Sequence, residues 1–359
     1  MRKTLVISIA FLLALMAPQF SHAELTTAET KMSLTKTISG NITPKSVHAS
    51  NTGVVAAFNM MYRHSVTLYD ANGMSLVKTI KDSVNLADFG FPQYPGVSRG
   101  APVEGAFSPD GKYLYATNYS MYGKGFGAEG TDKCSPKDKI DRSFLYRISL
   151  NRKKIDKVYL VGEVPKVVAV SPDNRYVLVT NWCSWDLNII STATQTVVKT
   201  IYIGRYPRGM AVSPDSKFVY IAEMGSNRIH QINLNSFRHT TFAVGSGVRA
   251  IVLSPDGTKL YATLNAVQKV AAYDLVKRKL IKTVQTGKAP RSLAISTDGT
   301  ALFAVNYFGE TLSKIRTSDM KVLQTIPVCK EPIGVAFEGI TGRTWVACYL
   351  GQIKVFDNK

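Results

Sequence analysis

Five cations at one repeated position are the first residues in this sequence with the means to do chemistry. Lys45, Lys166, Arg208, Arg249 and Arg291 each follow a proline or its equivalent (Pro44, Pro165, Pro207, Val248, Pro290) at the head of a short apolar run. The same position holds Val103 after Pro102 and Ile333 after Pro332, so five of seven are basic, against about one by random placement at the chain's Lys and Arg frequency. Ammonium and guanidinium groups gathered this way suit phosphate or carboxylate. A second set is aromatic: Tyr119, Trp182, Trp185, Tyr307 with Phe308, and Tyr349 all follow alternating apolar runs. Cations beside exposed rings suit single-stranded nucleic acid, where phosphates meet charge and bases stack. They suit an acidic glycan equally well. Internal pairing with Glu104, Glu163, Glu223 and Glu331 is the architectural alternative for the cations, and burial over the core is the alternative for the rings.

Other chemistry finds little support. The histidines are His22, His48, His64, His230 and His239, with no His-x-x-x-His or Glu-x-x-His spacing, so no metal site is expected. There is no Gly-x-Ser-x-Gly elbow and no phosphate-cradling Gly-Lys-Ser/Thr, and no cofactor is expected. The Gly-rich stretch Gly123 to Gly130 opens no helix and reads as a loop. For hydrolase or lyase chemistry, Glu104 with His64 is the best acid–base pair in the sequence.

The elements that must position these residues are set by a repeat. Ser108-Pro109-Asp110-Gly111 recurs as Ser171-Pro172-Asp173-Asn174, Ser213-Pro214-Asp215-Ser216, Ser254-Pro255-Asp256-Gly257 and Ser296-Thr297-Asp298-Gly299, with steps of 63, 42, 41 and 42 residues. Each turn lies between a short apolar run and an alternating one, the pattern of a β-hairpin. Degenerate copies at Asn51 to Asn59 and Gly339 to Ala347 bring the hairpins to seven. A third strand such as Lys269 to Asp274 and a fourth such as Lys279 to Val284 follow. Four strands in about 42 residues is the period of a propeller blade. The last repeat stops after its third strand, Ile353 to Asp357, while residues 31–39 resemble fourth strands. The expected fold is therefore an all-β, seven-bladed propeller, closed by the N-terminal strand in the last blade. Ring symmetry then carries the five cations to one mouth, and the Ser-Pro-Asp turns to the opposite, structural face. The link from Lys81 to Gly100 and the loop from Tyr119 to Asp141 are long insertions on the mouth side, where binding sites commonly lie.

Runs such as Tyr176-Val177-Leu178-Val179-Thr180-Asn181 after Ser-Pro-Asp resemble the YVTN repeat of extracytoplasmic β-propellers, including the YncE-like periplasmic proteins. The resemblance covers residues 30–359 and implies the propeller fold. For function it implies a range: nucleic-acid binding, lactonase or lyase activity, or surface display. Glu223 and Leu264 depart from the repeat by replacing its Asn.

The N-terminus sets the expected compartment. Arg2 and Lys3, an apolar run from Leu5 to Met16 and the small-x-small tripeptide Ser21-His22-Ala23 read as a cleavable signal peptide, residues 1–23. The run is shorter than the roughly 20 residues needed to span a bilayer. Residues 24–359 are then one periplasmic or secreted domain, expected to act as a monomer. A formal charge of +19 favours polyanionic partners. Candidate partners are an anionic polymer (single-stranded DNA or acidic glycan) or an envelope protein. Four cysteines in an exported chain suggest two disulfides. Cys329 with Cys348 is favoured by antiparallel pairing across the last hairpin, which leaves Cys134 with Cys183. Other pairings and free thiols remain open at this point.

Overall fold

A computed structural model describes residues 25–359, and the proposed signal peptide lies outside them. The described residues form seven antiparallel sheets in chain order. Blade one is Pro44–Ala49, Val54–Asn59, Ser65–Asp70 and Ser75–Lys81, from the axis outward. Blades three to six repeat this, with inner strands Pro165–Val170, Pro207–Val212, Val248–Leu253 and Pro290–Ile295. The inner strands pack side by side around the axis, and the seventh, Pro332–Glu338, packs on the first. Seven blades thus form a closed ring.

The N-terminal strand Met32–Ser39 completes blade seven, pairing with Gln352–Asn358 from Met32 opposite Asn358 to Ser39 opposite Gln352. The chain before it latches onto blade six as well. Thr27 donates its N–H to Asp298 at 2.7 Å, Lys314 Nζ reaches the Thr30 carbonyl at 2.8 Å, and Gln324 bonds Met32 through both amide atoms. The clasp therefore hides a free edge and also ties two blades together.

Apolar side chains of the second and third strands fill the spaces between blades. Leu178 and Ile189 of blade three meet Val219 and Ile221 of blade four, all fully buried. Each such burial is worth about 1.5–3 kcal/mol. At the turn face the Ser-Pro-Asp motif is a hydrogen-bonded unit. Ser108 Oγ donates to Asp110 at 2.6 Å and accepts the Tyr113 N–H at 2.9 Å, and Asp110 also accepts the Lys112 N–H at 3.1 Å. In the degenerate last hairpin Glu338 does this work, accepting from the Ile340 and Thr341 amides.

Blade two departs from the expected four strands. Its long link folds as a fifth strand, Ser83–Asn85, paired with residues 97–99 of an 11-residue inner strand, Val97–Phe107. The second strand, Tyr113–Tyr122, runs on beside that extension. Phe91, Tyr94 and Phe126 pack over Phe144, which gives the insertion a core of its own. The sequence repeat hid this because the insertion obeys no 42-residue period.

Candidate functional site

A β-bulge recurs at the head of all seven inner strands. Pro165 faces Asn181 but Val167 faces Thr180, so Lys166 is an extra residue without a partner. The same slip brackets Lys45, Val103, Arg291 and Ile333, and falls within residues 208–209 and 249–250 in blades four and five. A bulge re-aims its side chain, here toward the axis. In five blades the residue before the strand is also left-handed: Val164, Tyr206, Gly247, Ala289 and Glu331 have φ of 52, 60, 68, 58 and 53°. Four of these carry a Cβ, and each stores strain of order 1 kcal/mol or more.

The five cations form the expected collar. Lys166, Arg208 and Arg249 are only 5, 8 and 9 % exposed, Lys45 and Arg291 are half-buried, and buried Val103 and Ile333 fill the remaining positions. Among the described residues the collar has two ion pairs, Arg208 with Glu104 at 3.6 Å and Lys166 with Asp132 at 3.4 Å. Of the other candidate acids, Glu331 makes no ion pair with the collar among the described residues but acts on Arg291 through its charge, while Glu223 and Glu163 stand apart. Glu223 is held by His230, Ser226 and the Arg205 amide. Burial, and then the charges of Asp186 and Asp138, raise Glu163 above the usual carboxylate range.

The electrostatics record an excess of positive charge. Burial, and then repulsion from Arg208, Arg249 and Arg291, brings Lys45 down to about 7. Burial, Arg208 and Lys45 push Lys166 well below the usual lysine range, and burial, Arg208 and Arg291 push Arg249 down. Burial alone would raise Glu104, yet His48 and Arg208 hold it below its usual value. Arg249 Nε and Arg291 Nε are buried without an acceptor among the described residues.

The aromatic set is brought to the mouth, with two corrections to the expectation of free stacking platforms. Trp182 is 6 % exposed, stacks on Tyr206 at 4.6 Å and donates to the Asp132 carbonyl at 3.3 Å. It is a wall, because the disulfide-tied second-blade loop folds over it. Tyr307 is 9 % exposed beneath the Arg291 guanidinium, 3.5 Å from its ring centroid. Tyr119 lies 4.2 Å below Lys166 Nζ, Tyr349 4.8 Å from Lys45 Nζ, and Trp185 5.9 Å from Arg205. Phe308 is the exposed ring, at 58 %. These rings support the cations from the side through cation–π contact.

Both disulfides form. Cys329–Cys348 joins the start of blade seven to the end of its second strand, with Cα atoms 6.1 Å apart. Cys348 stands where other blades use a buried Asn, such as Asn181, to tie the second strand to the third. Cys134–Cys183, with Cα atoms 5.3 Å apart, pins the loop that carries Asp132 over the collar. Two disulfides fit an oxidising compartment. No helix among the described residues is long and apolar enough to cross a membrane.

Below the collar a cavity of about 320 Å³ runs down the axis, lined by Arg208, Arg249, Arg291, Glu104, His48 and mostly apolar residues of the inner strands, Met210, Leu293 and Phe337 among them. Here the expected pairing of Glu104 with His64 is corrected. His64 bonds the Gly100 carbonyl at 2.6 Å, outside the channel, and Glu104 is bonded by His48 at 2.8 Å. His48 follows Lys45 by three residues, and the bulge at Lys45 turns it onto the channel wall. Asp132 had no signal in the sequence, since it lies in a loop without period. No group of three or more His, Cys, Asp or Glu able to hold a metal occurs among the described residues.

No protein-family model and no curated relative matches the sequence. Among solved structures, the chain is similar to Kuenenia stuttgartiensis hydrazine synthase. The TM-score is 0.66 at 17 % identity, covering 87 % of this chain and 95 % of that one. At that identity the likeness carries the fold alone: this chain is an all-β, seven-bladed propeller.

Proposed function

We propose that this propeller is a binding scaffold outside the cytoplasm whose basic mouth holds an anionic polymer, with single-stranded nucleic acid as the leading ligand and an acidic glycan second. One observation carries the reading: five cations from five blades converge on one opening, and among the described residues only two of them, Lys166 and Arg208, are ion-paired. An uncompensated cluster of this kind focuses field and draws in anions. The YVTN-like repeat and the two disulfides favour an exported protein. Fluorescence anisotropy tests the reading, with labelled single-stranded DNA and an acidic glycan at two salt concentrations. Binding of either that weakens with salt supports it. If neither binds near physiological salt, a protein-interaction platform in the envelope becomes the better account.

A second reading, hydrolase or lyase chemistry, is favoured by His48 and Glu104 sharing the cavity 2.8 Å apart. A carboxylate orienting an imidazole is a general-base arrangement. Turnover of lactones or acidic glycans that is lost in His48→Ala would move this reading ahead.

A further inference from the structure

We propose that the channel beneath the collar is a seat for a doubly charged, tetrahedral phosphate group. This rests on the mouth being an anion site, and it names the chemistry that fills it. The geometry of the donors carries the assignment. Arg208, Arg249 and Arg291 come from three consecutive blades and line one cavity of about 320 Å³. Arg249 is 9 % exposed and its Nε is buried without an acceptor among the described residues; Arg291 Nε is in the same state. A buried donor left empty costs about 1–3 kcal/mol, more when charged, so two at one cavity mark a missing acceptor. Glu104 occupies Arg208 in part, at 3.6 Å, and its other oxygen is bonded by His48. Ser292 Oγ accepts the Val335 N–H at 3.3 Å, which leaves its proton free for an oxygen in the channel.

A carboxylate presents two oxygens in one plane and can meet two guanidinium forks. A phosphate presents three or more around a centre, enough for guanidinium groups of three neighbouring blades along one side of the channel to share a single ion. Two glycines let the inner strands that carry these donors pack closely. A Cβ on Gly209 would stand 2.4 Å from the Arg249 carbonyl, and one on Gly334 2.9 Å from Ser46 Cα. The inner strands of blades four and five, and of blades seven and one, therefore approach closely. Binding should also take up protons, because a dianion favours the ammonium form of Lys45, which sits near neutrality without it.

The phosphate has two sources to distinguish, free inorganic phosphate and the terminal phosphomonoester of a polymer. Isothermal titration of the purified chain with inorganic phosphate, in phosphate-free buffers of different ionisation enthalpy, reads both affinity and proton uptake. A parallel arm compares a labelled oligothymidylate bearing a 5′-phosphate with the same oligomer bearing a 5′-hydroxyl. We expect phosphate binding that weakens about tenfold or more in Arg249→Met and in Arg291→Met, each checked for a retained cooperative melt. A 5′-phosphate preference of about tenfold assigns the seat to a polymer end. Phosphate binding without that preference assigns it to the free ion. Phosphate binding with no polymer binding keeps the seat and removes the polymer reading. Equal binding of both oligomers with no competition by phosphate overturns the seat and leaves the polymer reading intact. Folded Arg→Met variants that bind phosphate like wild type also overturn it.

Discussion

At the turn face, Asp110, Asp173, Asp215, Asp256 and Asp298 each accept from the serine two residues before and from the amide two residues after. At the mouth, Lys45, Arg249 and Arg291 have no carboxylate within ion-pair distance among the described residues, and two guanidinium Nε atoms lack any acceptor. The same hairpins build both ends. One end satisfies its charges locally, within five residues of chain; the other collects charges from five blades and leaves them in excess. Saturated ends hold a fold together. Unsaturated ends hold ligands, at a cost to the fold.

The largest expected effect breaks the saturated side. Deleting residues 25–40 removes the strand opposite Gln352–Asn358 and the bonds from Thr27 to Asp298 and from Lys314 to Thr30. An open edge on blade seven should give aggregation or a fall in melting temperature of about ten degrees or more, on the order of several kcal/mol for a chain this long. A truncated chain that melts like wild type as a soluble monomer contradicts closure by this strand.

The second effect is a reversal of sign between the faces. Ser108→Ala removes a hydroxyl that serves Asp110 and the Tyr113 amide, and should destabilise by about 1–2 kcal/mol. Arg249→Met removes a buried charge that has no carboxylate partner, and should stabilise the unliganded protein by about 1 kcal/mol or more while weakening anion binding. Denaturant melts of the two variants decide this. If both lose stability equally, the mouth is as well satisfied as the turns and the contrast is gone.

Stability against pH sharpens the contrast further. Folding lowers Lys45 to about 7, below the roughly 10.4 of an unfolded lysine, so between those limits the unfolded chain binds more protons. Its cost is fully present below about 7 and is relieved as pH rises toward 10. Melts at pH 7, 8.5 and 10 should show that this rise is shallower in Lys45→Met. An unchanged slope removes Lys45 from the account. The smallest effect concerns the strained residue that leads into blade six: Ala289 has φ of 58°, and Ala289→Gly should stabilise by about 1 kcal/mol or less.

Much of this was legible in the sequence because a propeller repeats. Five turns, the last four of them 41 or 42 residues apart, located the hairpins, and the proline or its equivalent at the head of each inner strand located Lys45, Lys166, Arg208, Arg249 and Arg291 around one mouth. Whatever broke the period was hidden. The fifth strand of blade two, Ser83–Asn85, and the loop carrying Asp132 follow no repeat. Exposure was misjudged at Trp182 because the disulfide-tied loop covers it, bringing together chain segments about fifty residues apart. His48 was missed for another reason. Strict alternation gives the wrong face after a bulge, and the bulge becomes visible only in the pairing of Pro44 with Asn59 and Ser46 with Phe58.

The central claim is that the collar, and no diffuse surface charge, binds the anionic ligand. Its most direct test is the salt dependence of single-stranded DNA binding in two triple variants of equal charge. Arg208→Ala, Arg249→Ala and Arg291→Ala together remove collar charge; Lys279→Ala, Lys282→Ala and Lys321→Ala remove it from the outer strands. The collar variant is predicted to bind weakly, with a log–log salt slope flattened by about 0.7 for each phosphate it no longer neutralises, while the outer variant stays near wild type. Equal weakening in the two variants contradicts the claim.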